Sequence, residues 1–232
     1  MSIAGNLGII EEKIAAAAVK AGRAPSSVRL VAVSKMQSAA AVDAAARAGQ
    51  RLFGENYVQE LAAKSEEVRE SVTWHFIGSL QSNKVRLIAG LVTMIHSVDR
   101  LSLAQEIDRQ WGRLGKVCDV LVQVNVSGES TKSGSSSGQV LDLVRDISRL
   151  SHVRIKGLMT MPPFFDDPEG ARPFFRELRR LSGLIGDEGI ANVEMTELSM
   201  GMSGDFQVAI EEGATLVRIG SAIFGERIAR VR

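Results

Sequence analysis

Lys35 is the most informative residue of this sequence, because its position at the end of a predicted strand would give its amine a chemical role. It ends an apolar segment, residues 28–35 (VRLVAVSK), directly ahead of a segment with helical character. Such a run is typical of a buried parallel strand, and α/β proteins bind ligands at the carboxyl ends of these strands. An amine held there, partly shielded from water, can lose its proton and attack a carbonyl carbon to form an imine. A lysine at the end of a strand can also be there simply because strand ends are exposed to water. Whether Lys35 has a chemical role therefore depends on which residues lie at the ends of the other strands.

Two segments rich in glycine and serine lie at the ends of the seventh and eighth predicted strands, residues 193–200 and 215–221. Barrel proteins commonly hold a phosphate in the loops after strands seven and eight. Glycine lets the backbone approach the anion, while serine hydroxyls and free N–H groups donate hydrogen bonds to it. Turn formation explains either loop alone, but the two together in this pair of positions favour a phosphate site. The residues that fit are Ser199, Gly201, Ser203, Gly220 and Ser221.

Arg218 interrupts the apolar segment 216–220 (LVRIG). A charge inside a buried strand requires a partner. One interpretation is a structural ion pair with Glu194 or Glu197, and the other is a ligand with a pyridine nitrogen. Because arginine keeps its proton, a pyridine that faces it would stay unprotonated and would be a poor electron sink.

Two further polar residues at strand ends have two interpretations each. His75 lies between two aromatic residues, which fits a hydrogen-bonded core histidine as well as an acid–base group. Asn56 could bind a ring hydroxyl or cap the predicted helix 57–70. The other histidines, His96 and His152, are isolated in the sequence, and no spacing typical of metal ligands occurs.

The composition is that of an ordinary globular protein with a sizeable core, with 45% hydrophobic and 24% charged residues in a chain of 232. A net charge of +1 and 5% aromatic residues argue against nucleic acid and anionic membranes as partners. The single cysteine excludes an intrachain disulfide. The sequence shows neither a secretory signal layout nor an apolar run of about 18 residues, so a cytoplasmic protein is expected.

Strand-like and helix-like segments alternate along the sequence. The predicted strands are short, apolar or β-branched, and bounded by turn-forming residues, at 28–35, 51–56, 73–78, 94–99, 119–127, 153–160, 193–200 and 215–221. The predicted helices fill the gaps, at 38–49, 57–70, 82–90, 101–114, 138–150, 169–186 and 205–212. An alanine-rich helix at 5–22 precedes the first strand, and a short helix is expected after Gly225.

Eight such units predict an α/β fold of the (β/α)8 barrel type, in which one parallel sheet closes on itself. An open, doubly wound sheet is the alternative, but regular spacing without a long insertion favours closure. No change in composition marks a second domain, so residues 1–232 are predicted to form a single barrel domain with the extra N-terminal helix. The low-complexity stretch 128–138 (GESTKSGSSSG) is interpreted as a mobile loop at the barrel mouth.

Eight short segments, in order along nearly the whole chain, carry a resemblance to a known family. They are 31–35 (VAVSK), 53–57 (FGENY), 74–78 (WHFIG), 80–84 (LQSNK), 124–129 (VNVSGE), 157–161 (GLMTM), 198–203 (LSMGMS) and 217–225 (VRIGSAIFG). Each segment alone has low specificity, whereas the ordered set is highly specific. The chain resembles the pyridoxal-phosphate homeostasis proteins, also called the YggS/PROSC family.

This resemblance implies a barrel similar to the N-terminal domain of alanine racemase, with pyridoxal 5′-phosphate as its cofactor. Lys35 is expected to hold the cofactor as a Schiff base and Arg218 to face its pyridine nitrogen. Ser79 replaces a bulkier residue or proline found in many members, and Ser221 replaces a threonine, which leaves cofactor binding intact. The expected cofactor set is Lys35, Asn56, His75, Ser199, Gly201, Met202, Ser203, Arg218, Gly220 and Ser221.

The resemblance also implies a role in intracellular vitamin B6 balance without established catalysis. The expected partners are pyridoxal phosphate and enzymes that require it, with no nucleic acid or membrane, and the expected state is a monomer. A racemase, the first alternative, needs an acid–base group on each face of the reacting carbon. Alanine racemases take the second group from a tyrosine of a separate domain, whereas this chain ends at Arg232 and has one tyrosine, Tyr57, so negligible racemase turnover is expected. The second alternative is a barrel lyase that attacks a sugar phosphate or keto acid through Lys35, but His75 is its one candidate for a further acid–base group.

Overall fold

A closed barrel of parallel strands is the framework of the structure. The computed structural model describes residues 2–129 and 133–225. Within these residues, eight parallel strands follow one another around the sheet, and pairing of the first strand with the last closes it. The predicted (β/α)8 barrel is therefore confirmed, and the open sheet is excluded. The strands are β1 (Arg29–Val33), β2 (Leu52–Glu55), β3 (Thr73–Phe76), β4 (Met94–Val98), β5 (Cys118–Asn125), β6 (Val153–Met159), β7 (Val193–Ser199) and β8 (Leu216–Ile219).

Helices surround the barrel, and their buried side chains form the large apolar core together with those of the strands. They are α1 (Ile3–Lys20), α2 (Ala39–Arg47), α3 (Val58–Glu67), α4 (Leu101–Arg113), α5 (Val140–Ile147), α6 (Arg172–Asp187), α7 (Phe206–Glu211) and α8 (Ser221–Phe224). The extra helix α1 begins after Ser2, whose hydroxyl accepts the N–H of Gly5 at 3.1 Å. In the described part of the chain, no helix combines the length and apolar character needed to cross a bilayer.

Two segments differ from the sequence-based prediction, and a third prediction is not tested. The helix predicted at 82–90 is a 3₁₀ helix, Ser82–Leu87, the tighter form that suits a short connection. The stretch predicted as a loop contains a two-residue strand, Ser135–Ser136, which pairs in parallel with the end of β5. The helix expected after Gly225 lies outside the described residues, and α8 stands directly before that glycine.

The barrel interior has a small apolar core of its own. Five side chains from β1, β4, β5, β6 and β8 form a buried cluster separate from the large core between strands and helices: Val31, Met94, Leu121, Met159 and Leu216. Filling of the interior by such side chains is general in barrels of this type, so the barrel is packed and has no pore. The cavity described next opens at the carboxyl end of the barrel, beyond this apolar cluster.

Candidate functional site

A cavity of about 250 Å³ opens at the carboxyl ends of the strands. That volume is slightly below the roughly 300–1,000 Å³ that small-molecule pockets occupy. Its wall is built from residues that follow β1, β2, β3, β6, β7 and β8, and Met161 and Phe164 are exposed parts of this wall. The predicted ligand face of the barrel therefore carries a cavity.

Seven of the ten predicted cofactor residues line this cavity, and three lie outside its wall. The seven are Lys35, Asn56, Met202, Ser203, Arg218, Gly220 and Ser221. The other three, His75, Ser199 and Gly201, are buried. Ser199 and His75 are hydrogen-bonded beneath the cavity, while the backbone of Gly201 accepts the N–H of Arg218. These three residues support the wall from behind, which the sequence alone did not distinguish from direct contact.

A chain of buried hydrogen bonds runs from Arg218 into the barrel interior. Arg218 Nη1 donates to Ser199 Oγ at 2.6 Å, and Ser199 Oγ lies 2.9 Å from His96 Nδ1. His96 Nε2 lies 2.9 Å from His75 Nδ1. A guanidinium group can only donate, so the Ser199 oxygen accepts. Among the described residues, His96 Nδ1 is the one hydrogen-bond partner of Ser199 Oγ that can accept, so we assign the hydroxyl hydrogen to it. With this assignment, each neutral imidazole carries its hydrogen on Nε2.

Both imidazoles are neutral at pH 7, as this order of donors requires. Burial lowers the pKa of His75 to about 3, with a smaller electrostatic effect from Arg29. Burial also lowers the pKa of His96 well below its ordinary range, and the nearby His75 and Arg218 lower it further. Arg218 is therefore the one member of the chain that carries a charge at neutral pH.

His96 is a residue that sequence reasoning missed. It was predicted to be isolated, but it contacts His75 and Ser199, and the second of these lies 103 positions away in the chain. Residues this far apart are brought together only by closure of the barrel. One sequence signal was present, since His75 and His96 are each the third residue of adjacent strands, β3 and β4.

Arg218 has no carboxylate partner at ion-pair distance among the described residues. The predicted alternative, an ion pair with Glu194 or Glu197, is wrong, because Glu194 pairs with Lys156 and Glu197 pairs with Arg29. The second guanidinium nitrogen of Arg218 instead donates to a backbone carbonyl oxygen, that of residue 160, at 2.9 Å. Burial lowers the pKa of Arg218 to about 10, which still leaves it cationic at neutral pH. The cavity therefore has a buried positive charge in its wall.

The loop after β7 and the start of α8 form a cup of hydrogen-bond donors. Gly201 has a φ of +89°, and a Cβ there would lie 2.6 Å from the Cβ of Ala209, so only glycine fits this turn. Ser221 Oγ lies 3.3 Å from Ser203 Oγ. Within the described residues, the backbone N–H groups of Ser203 and Gly204 donate no hydrogen bond. The cup thus offers two hydroxyls and two uncommitted N–H groups, the donor set that suits a phosphate.

Sequence comparison assigns the chain to a family. Residues 6–228 match the family described as alanine racemase, N-terminal domain. The chain is 43% identical over 228 residues to a pyridoxal phosphate homeostasis protein of Aquifex aeolicus, covering 98% of this chain and 99% of that protein. It is 40% identical over 229 residues to the Escherichia coli protein of the same name, with 97% of each covered. The chain belongs to the pyridoxal phosphate homeostasis protein family.

Solved structures agree with this family assignment. PipY of Synechococcus elongatus, solved with PLP bound, superposes with a TM-score of 0.84 at 36% identity, covering 97% of this chain and 100% of PipY. Alanine racemase of Corynebacterium glutamicum superposes with a TM-score of 0.72 at 17% identity, covering 97% of this chain and 64% of the racemase. The second likeness shows a shared fold alone.

Three buried polar side-chain atoms of this homeostasis-family barrel have no hydrogen-bond partner among the described residues: Glu55 Oε2, Asn56 Oδ1 and Ser97 Oγ. Asn56 lines the cavity, and its Oδ1 atom is buried without a hydrogen bond. An unpaired buried carbonyl oxygen costs about 1–3 kcal/mol, so its retention beside a cavity points to a ligand that donates to it. Of the two sequence interpretations, helix capping is wrong, because the Asn56 side chain caps no helix.

The two buried histidines give an expected pH dependence of stability. Their folded-state pKa values lie below the unfolded value of about 6.5, so their stabilising contribution is complete above that pH and is lost as the pH falls. With a folded pKa of about 3, His75 alone should lower the free energy of unfolding by roughly 2 kcal/mol between pH 6.5 and 4.5. Urea unfolding at both pH values measures this loss.

A comparison of variants separates the contribution of His75 and His96 to the pH dependence of stability from that of the carboxylates. The double variant His75→Gln/His96→Gln should lose much less stability over the same pH interval than the wild type. His152→Gln, which alters the one histidine outside the buried chain, should keep the wild-type slope. If the free energy of unfolding changes equally with pH in the double variant and the wild type, the two histidines are not the source of the pH dependence.

Proposed function

We propose that this chain binds pyridoxal 5′-phosphate through a covalent bond to Lys35 and acts as a carrier or buffer of that cofactor in vitamin B6 homeostasis. The observation that carries the proposal is the cavity, because an amine, a buried cation and a cup of phosphate donors share one wall. PipY, which has PLP bound, is 36% identical to this chain over nearly its whole length, and this supports the assignment.

Each polar part of the wall fits one chemical group of the cofactor. Pyridoxal phosphate supplies an aldehyde carbon that a primary amine can attack, and Lys35 is the amine in the wall. The hydroxyls of Ser203 and Ser221 and the nearby N–H groups would hold the phosphate. The unpaired Asn56 Oδ1 would accept the ring hydroxyl, and Arg218 would donate to the pyridine nitrogen.

The remaining cofactor candidates are assigned indirect or packing roles. Ser199 and His75 would hold Arg218 in place through the hydrogen-bond chain, and the tight turn at Gly201 would shape the phosphate cup. Met202 and Gly220 line the wall, and a Cβ at Gly220 would lie 3.0 Å from the backbone oxygen of Val33. A side chain at that position would therefore crowd the first strand.

We propose that the bound cofactor is held without rapid turnover. A racemase needs a second acid–base group, but Tyr57 is half exposed and is not part of the described wall. Asp205 lines the wall, but its carboxylate accepts the Met202 N–H at 2.6 Å within the phosphate cup. Arg218 keeps its proton and so leaves the ring nitrogen unprotonated, which weakens the ring as an electron sink.

The proposed setting is that of a cytoplasmic monomer whose partners are the cofactor and the enzymes that require it. A net charge of +1 and a low aromatic content of 5% support a protein that is not recruited by nucleic acid or an anionic membrane. Lyase activity through Lys35 is the competing outcome of the experiment below.

The proposal is tested by trapping and locating the covalent bond. Protein incubated with pyridoxal phosphate should develop a visible absorption band at one equivalent, and borohydride reduction followed by peptide mass mapping should place the label on Lys35. The exposed lysines Lys13 and Lys116 report non-specific labelling. Label spread evenly over exposed lysines would overturn the proposal, and trapping of pyruvate at Lys35 in place of pyridoxal phosphate would favour the lyase.

A further inference from the structure

Lys35 lies in a tight turn that the backbone does not favour. The Gln37 N–H donates to the Ser34 carbonyl oxygen at 3.0 Å, which closes a turn with Lys35 and Met36 at its centre. Met36 has a φ of +62°, in the left-handed region that residues other than glycine rarely adopt. Such a conformation costs about 1–2 kcal/mol and persists only where its surroundings enforce it.

A buried ammonium group lies directly behind this turn. Lys64 of α3 is 4% exposed, although lysine is almost never fully buried without partners. Its Nζ donates to the Ser34 carbonyl oxygen at 2.5 Å and to Glu55 Oε1 and Glu60 Oε1, each at 2.7 Å. All three hydrogen-bond donors of the ammonium group are therefore in use.

The two carboxylates connect the same ammonium group back to the turn. Glu60 Oε1 accepts the Met36 N–H at 2.6 Å, and Glu55 Oε1 accepts the Ser34 hydroxyl at 2.6 Å. The carbonyl before Lys35 and the N–H after Lys35 are thus both bound to one cluster. Because the peptide groups on either side are fixed, the backbone from which the Lys35 side chain extends has little freedom to rotate.

We infer that Lys64, with Glu55 and Glu60, is a positioning residue for Lys35. These three side chains, the Lys64 cluster, hold the strained turn so that the Lys35 amine is presented to the cavity. Lys64 does not line the cavity, and the Lys64 cluster acts through the backbone of Lys35. The inference rests on the proposed function, since it assigns the cluster to covalent attachment of the cofactor at Lys35.

The test separates attachment at Lys35 from binding of the cofactor. In Lys64→Met, the rate constant for development of the visible band with pyridoxal phosphate should fall roughly ten- to a hundredfold, as expected for a misplaced reacting group. In a Lys35→Ala background, the non-covalent affinity for pyridoxal phosphate, measured by calorimetry, should change less than about twofold when Lys64→Met is added. Lys64→Arg should restore only part of the rate, and Lys116→Met is the matched surface control.

Three outcomes are decisive. Equal rate constants in the wild type and in Lys64→Met would overturn the inference. Equal losses of rate and of non-covalent affinity would overturn it as well, because they would show a general structural role. If Lys64→Met does not fold, the double variant Lys64→Met/Glu55→Gln, which leaves no unpaired buried carboxylate, gives the same comparison. A wild-type protein that never reacts at Lys35 would instead overturn the proposed function.

Discussion

Replacing Lys35 with alanine is expected to abolish covalent retention of pyridoxal phosphate while leaving a weaker, reversible complex. The variant removes the amine that would attack the aldehyde, but it leaves the phosphate cup and Arg218 unchanged. Because Lys35 is only partly buried at a strand end, the free energy of unfolding should change by less than about 1 kcal/mol. The loss is therefore attributed to chemistry and not to unfolding.

The measurement compares cofactor retained after extensive dialysis, with and without prior borohydride reduction. The wild type should retain about one equivalent after reduction, and Lys35→Ala should retain none above background. Lys116→Ala, which removes an exposed lysine far from the cavity wall, should behave as the wild type. Stoichiometric label on the alanine variant would place the reactive amine elsewhere and end the assignment of Lys35.

The second large effect is expected from Arg218→Met, which should weaken binding without destabilising the protein. Hydrogen bonds to a charged group contribute about 1.5–3 kcal/mol, so affinity for pyridoxal phosphate should fall by roughly ten- to a hundredfold. The guanidinium is fully buried and its two hydrogen-bond partners are neutral, so removing the charge relieves several kcal/mol of desolvation, of which attraction to the nearby Asp205 carboxylate offsets a part. That gain should offset the loss of two hydrogen bonds, so the unfolding free energy should be unchanged within about 1 kcal/mol or higher.

Arg218→Lys is the matched control, because it keeps the charge and loses the planar fork of donors. It should bind more tightly than the methionine variant but should be less stable than it. Titration with pyridoxal phosphate gives the affinities, and urea unfolding of the cofactor-free proteins gives the stabilities. A methionine variant that binds as well as the wild type would remove Arg218 from the site, whereas one that unfolds readily would assign Arg218 a structural role.

Much of the barrel and most of the cavity wall could be predicted from the sequence. The strands are short segments rich in apolar or β-branched residues with clear ends, and in a parallel barrel all carboxyl ends meet at one face, so Lys35, Asn56 and Arg218 could be placed together. The pair of loops at Ser203 and Ser221 could be predicted in the same way. These predictions follow from the strand pattern of the sequence and from the rule that the carboxyl ends of parallel barrel strands share one face.

Contacts across the barrel could not be predicted in this way. The partners of Arg218, the position of Ser199 behind the wall and the contact of His96 with His75 depend on which side chains face inward and at what height. No pattern in a single sequence fixes those heights, because strand register sets them. The Lys64 cluster left one local trace, since Glu60 and Lys64 are four residues apart on α3, the spacing of a helical ion pair.

The hydrogen-bond chain beneath the cavity also allows ligand binding to be followed through the NMR signals of the histidine rings. Arg218 is both the first donor of that chain and part of the cavity wall, so a molecule that engages its guanidinium changes the bond to Ser199 and then the ring nitrogens of His96 and His75. The sequence contains three histidines, so imidazole nitrogen resonances in an NMR spectrum are few and readily assigned. His152, which lies outside the chain, provides the internal reference, and occupancy of the cavity can be followed in solution without a label on the ligand.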